Sequence, residues 1–81
     1  MNFQELRERF VVHLRERVRN GEMTERGLAR ISGVSQPHLH NVLKGKRVLS
    51  TEMSDEMLRH LGMDLLDLIK PEDVLEWWGR Q

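Results

Sequence analysis

The stretch from Thr24 to Lys46, TERGLARISGVSQPHLHNVLKGK, constrains this chain of 81 residues more than any other. It reads as two short helices joined by a tight turn, the second helix carrying a polar outer face. Gly33 stands where the first helix must end, because a residue with positive φ at a helix C-terminus costs least as glycine. Leu28 belongs to the inner side of the first helix, and Ala29 is small enough for the second helix to cross close over it. Val34 plugs the corner. Ser35 is placed to cap the second helix. Pro37 falls in the first turn, where the N–H it lacks has no intrahelical use. Leu39, Val42 and Leu43 share the inner side of the second helix.

Further helices flank this pair. Phe3, Leu6, Phe10, Leu14 and Val18 recur at three- and four-residue steps, with Val11 widening the stripe, and predict a helix from about Asn2 to Val18 or Arg19. Asn2 is its expected N-cap and Glu5 the partner of a capping box. Asn20-Gly21 stops it. Thr24 caps the next helix, which ends at Ser32-Gly33. Gly27 inside that helix costs about 1 kcal/mol relative to alanine, which points to close approach of another backbone, that of the first helix or of a nucleic-acid strand. The following helix spans about Gln36 to Lys44 and ends at Gly45. Val48 and Leu49 are expected to re-enter the core. Ser50 or Thr51 caps a fourth helix running to about Leu61, with Met53, Met57, Leu58 and Leu61 inward. Asp64 caps a short fifth one bearing Leu65, Leu66, Leu68 and Ile69.

A chain of this length makes one domain, at the small end of what folds alone. There is no cysteine, so no disulfide framework, thiolate metal site or thiol nucleophile is available. The charged start, MNFQELRERF, does not read as a signal peptide, and no apolar run approaches membrane-spanning length. A cytoplasmic location is the resulting expectation. The formal net charge is zero, but its distribution is lopsided. Residues 1–47 carry ten Lys and Arg against five Glu, a balance of +5, and residues 48–81 carry three basic against eight acidic residues, a balance of −5. Glu–Arg pairs such as Glu5–Arg9 account for part of the first helix's charge. Lys44, Lys46 and Arg47 have no acid near them in sequence, so the half bearing the two-helix corner presents positive charge to its surroundings.

Leu28, Ala29, Gly33, Val34, Leu39 and Val42 at their relative spacing, followed by Lys44-Gly45-Lys46, resemble the helix-turn-helix of the phage repressor/Cro-type (XRE-like) regulators. With LGMDLLDLI as the close of the domain, the resemblance covers roughly residues 3 to 69. It implies an all-α, compact five-helix domain over residues 1–69; the residues beyond it, 70–81, read by themselves as a short C-terminal helical extension. It also implies sequence-specific binding of double-stranded DNA by a transcriptional regulator, with helix 3 in the major groove. Carried over by position, the base contacts are Gln36, Pro37, His40 and Asn41. Gln36 and Asn41 are the strongest of these, because an amide matches the donor and acceptor of adenine. Pro37 offers an apolar surface to a thymine methyl. The backbone contacts implied are Arg26, Ser35, His38, Lys44, Lys46 and Arg47, which grip phosphates without reading sequence. Glu25 stands where the family often has glutamine meeting a phosphate. A carboxylate does not favour that contact, and Arg26 beside it is the expected substitute.

Pro71 opens a last helix, Pro71 to Gly79, with Glu72 and Asp73 suited to the positive end of its dipole. Val74, Trp77 and Trp78 share one face, with Leu75 beside them. These four are the expected dimer interface, because DNA recognition favours two copies on an inverted repeat and some phage repressors look similar here. The alternative is an antitoxin or adaptor whose Trp-bearing end binds a different protein. No enzyme is expected. His38 and His40 are two apart and do not share a helix face, and no spacing marks a metal site, a catalytic triad or a phosphate-binding loop. No cofactor is expected.

Overall fold

Five α-helices and one 3₁₀ turn make up the computed structural model, which describes residues 1–80. They are α1 (Phe3–Arg19), α2 (Glu25–Ser32), α3 (Gln36–Leu43), α4 (Thr51–His60), the 3₁₀ turn Leu65–Leu68, and α5 (Pro71–Gly79). The described residues contain no strand. The short fifth helix of the domain is therefore a 3₁₀ turn, and α3 ends one residue earlier than its apolar spacing predicts, with Lys44 as its cap.

The helix starts follow from side-chain caps. Asn2 accepts from the Glu5 amide at 2.8 Å, Thr24 from Gly27 at 2.9 Å, Ser35 from His38 at 3.3 Å and Ser50 from Met53 at 3.1 Å. Asp64 and Asp67 close a reciprocal box over the 3₁₀ turn. Each cap satisfies an amide that the helix itself leaves without a partner.

Inside, Phe10 and Leu14 of α1 meet Leu28 and Ala29 of α2, Leu39, Val42 and Leu43 of α3, and Met57 and Leu58 of α4. Val34, Leu49 and Leu68 close the core from the connecting segments. Burying each large side chain contributes about 1.5–3 kcal/mol before the entropy of ordering it is charged. α2 packs on α3 and α4, and α1 packs on α3 and the 3₁₀ turn.

Two apolar expectations are corrected. Phe3 is 83% exposed, because it begins α1 and only rims an apolar groove shared with Leu6, Leu58 and Leu65. Val48 is 71% exposed while Leu49 is buried. The two are neighbours in an irregular, non-helical segment, and only Leu49 reaches the core. Leu65 and Leu66 are likewise exposed, and Leu68 supplies the buried side chain of the 3₁₀ turn.

The expected Glu5–Arg9 pair is replaced. Arg9 reaches instead to α5, donating to both carboxylate oxygens of Asp73 and to the Leu68 carbonyl at 3.2 Å. α5 contributes no buried residue, so this contact is its principal polar tie to the domain. No helix of the described residues is long and apolar enough to cross a membrane.

Candidate nucleic-acid interface

The placement of α3 begins with its two ends. At its start, the Ser35 cap leaves Gln36 and Pro37 exposed on the first turn. At its end, the Gly45 amide bonds to the Val42 carbonyl at 3.0 Å and the Lys46 amide to the Asn41 carbonyl at 2.8 Å. This closure needs φ +79° at Gly45, a left-handed conformation that glycine adopts without cost. It holds Lys46 and Arg47 against the end of α3. From the other side, Arg15 of α1 donates Nε to the Leu43 carbonyl at 2.8 Å, satisfying one of the last carbonyls of α3.

With Leu39, Val42 and Leu43 buried, the opposite side of α3 faces solvent. Gln36, Pro37 and His40 are exposed there, and Asn41 is half-buried. Lys44, Lys46 and Arg47 are exposed beyond the helix end, Ser35 is exposed just before its start, and Arg26 is exposed on α2. His38 is half-buried. The set of base-facing and backbone-facing candidates is thus mostly solvent-accessible, with His38 and Asn41 the least so.

Several cations of the candidate set stand outside the ion pairs. Among the described residues, Arg17 pairs with Glu22, Arg19 with Glu16 and Arg9 with Asp73. Arg26, Lys44, Lys46 and Arg47 are in none of the ion pairs, which otherwise join Met1 to Glu5, His40 to Glu25, Glu56 to Arg59 and His60, and Arg80 to Glu76. The basic groups without a carboxylate partner therefore include all four charged candidates for phosphate contact. Such a rim attracts a polyanion and releases its counterions.

One placement differs from the reading by spacing, and a second adds to it. Gly27 does not make room for α1. A Cβ built there meets only the Thr24 hydroxyl within 4 Å, at 3.1 Å, so the glycine spares the N-cap of its own helix. Glu25 does not stand idle beside Arg26. Both its carboxylate oxygens lie 3.2 Å from Nδ1 of His40, across the turn between α2 and α3.

α5 presents a second exposed surface. Val74, Leu75, Trp77 and Trp78 are all exposed, the two indoles at 56% and 70%. The Trp rings lie 6.1 Å apart at 49° to each other. Asp73 both caps the helix, accepting from the Lys70 amide at 2.8 Å, and binds Arg9. Hydrogen bonding from Arg9, then from the Lys70 amide, holds the Asp73 carboxyl well below the usual carboxylate range, and the same pair raises the Arg9 guanidinium further.

Among the described residues, no three His, Asp or Glu side chains come together closely enough to hold a metal ion. Spacing did not reveal Arg15, Glu25 or the Arg9–Asp73 pair, because their partners are 28, 15 and 64 residues away. Periodicity reports only neighbours within a turn or two.

A model of the helix-turn-helix family, of the Cro/C1 (XRE) type, matches residues 14–68, more than half of the chain. The match covers α2, α3 and α4 and stops before α5. No curated protein matches the chain, and no solved structure does.

Proposed function

The chain belongs to the helix-turn-helix family of the Cro/C1 type, a family of DNA-binding proteins, and from that premise we propose that it is a transcriptional regulator acting as a dimer on an inverted repeat. α3 enters the major groove. Gln36, Pro37, His40 and Asn41 face base edges, while Arg26, Ser35, His38, Lys44, Lys46 and Arg47 hold phosphates. Residues 1–69 form the reading domain and residues 70–81 the element that pairs two copies through Val74, Leu75, Trp77 and Trp78.

The observation that carries this reading is the open polar side of α3, followed by Lys44, Lys46 and Arg47, which have no carboxylate partner among the described residues. Its mechanism is positional. Phosphate contacts set register and most of the affinity, and amide contacts to bases each discriminate by about 1–3 kcal/mol. Selection of bound duplexes from random DNA tests it: an enriched, two-fold symmetric sequence supports the proposal, and recovery of unenriched DNA refutes it.

The exposed indoles of α5 also suit a different protein partner, the antitoxin or adaptor reading. Sedimentation of the purified chain separates the two. A dimer without other protein favours pairing between copies, and a monomer at high concentration favours a different partner.

A further inference from the structure

Glu25 is out of place on a surface meant for phosphates, and its surroundings say what it does. Arg15, Arg19 and Lys44 line the same hollow as Glu25. Arg15 is engaged with the Leu43 carbonyl and Arg19 with Glu16. Glu25 turns to His40, with Nδ1 at 3.2 Å from each of its oxygens. An ionised carboxylate only accepts hydrogen bonds, so the imidazole proton resides on Nδ1. Nε2 makes no hydrogen bond within the described residues, and the ring's side chain keeps 46% of its surface exposed, on the outer side of α3.

We propose that Glu25 is a positioning residue that locks the tautomer of His40 and so decides which base His40 accepts. This rests on the entry of α3 into the major groove. With the proton held at Nδ1, the neutral ring offers DNA one acceptor, Nε2. In the major groove the amino groups of adenine (N6) and cytosine (N4) are donors, while guanine O6 and thymine O4, at the corresponding places, are acceptors. His40 therefore favours adenine over guanine, or cytosine over thymine, at the base it meets. Replacing the carboxylate by an amide removes the compulsion, because glutamine either accepts from Nδ1–H or donates to a bare Nδ1, and the second choice turns Nε2 into a donor.

The test is selection from random DNA with the wild type, Glu25→Gln and His40→Ala, run at one mildly alkaline pH. Wild type is expected to favour adenine over guanine, or cytosine over thymine, about tenfold at one position of the half-site. His40→Ala abolishes that preference at that position alone. Glu25→Gln reduces it to about twofold or reverses it, with the other positions and the melting temperature unchanged, a pattern that a merely structural role for Glu25 does not produce. An unchanged preference in Glu25→Gln, or no affected position in His40→Ala, overturns the proposal while leaving DNA reading intact. A wild type that selects no sequence overturns DNA reading itself, and the proposal with it.

Discussion

The guanidinium of Arg9 on α1 grips the carboxylate of Asp73 on α5 with both of its terminal nitrogens, Nη2 standing 2.7 Å from Oδ1. The same carboxylate accepts from the Lys70 amide and so starts the helix it tethers. One side chain therefore sets where α5 begins and how it leaves the domain.

This pair gives α5 a defined response to acid. Asp73 has a folded pKa depressed by Arg9 and the Lys70 amide. Its stabilising contribution is complete above the unfolded carboxylate value, about 3.9, and is lost as pH falls through the lower folded value. Both tryptophans of the chain lie in α5, so their fluorescence anisotropy reports its attachment. Anisotropy is expected to stay flat between about pH 8 and 5 and to fall only in stronger acid. Arg9→Met and Asp73→Asn are expected to lower it already at neutral pH.

If two copies pair through α5, as proposed, the indoles are necessary for assembly and dispensable for folding. Trp77→Ser with Trp78→Ser is expected to turn a dimer into a monomer in sedimentation experiments. Because both rings are exposed, stability of the domain should move by no more than about 0.5 kcal/mol in urea titration.

Lys46 is exposed and bears no carboxylate partner among the described residues. In the proposed complex its removal costs a phosphate contact that carries no sequence information. Lys46→Ala is expected to weaken binding to the selected site and to unrelated duplex alike, and to flatten the plot of log affinity against log salt by about one unit. A filter-binding or anisotropy series at several salt concentrations reads both effects.

Leu39 is completely buried on the inner side of α3. Leu39→Ala leaves a cavity under the reading helix and is expected to cost about 2–5 kcal/mol in urea unfolding. A domain this small has a total stability of the order of 5–15 kcal/mol, so the variant loses a large share of it and should unfold at a clearly lower urea concentration.

The local features of the fold were legible because their causes are local. Asn2, Thr24, Ser35 and Asp64 cap the elements that their positions predict, and the stripe Phe10, Leu14, Leu28, Leu39, Val42 and Met57 is buried as its spacing requires. Phe3 and Val48 are exposed because apolar character states a preference for burial, and geometry at a helix end or beside a buried neighbour decides whether it is met. The pairs Arg9–Asp73, Arg15–Leu43 and Glu25–His40 were not legible. Each joins different elements, and no rule of spacing links residues so far apart. On the candidate interface, the identity of the outward residues of α3 could be read in advance. The partnership that orients His40 required the fold.

The central claim is that the outer side of α3 reads base edges. Its most direct test compares the affinity of the wild type and of the Gln36→Ala/Asn41→Ala variant for the selected duplex and for a scrambled one at the same salt. The account predicts that the variant loses most of the wild type's ratio between the two duplexes, two amide contacts being worth about 10- to 100-fold each, while its affinity for scrambled DNA stays nearly unchanged. A variant that keeps the wild-type ratio contradicts the account.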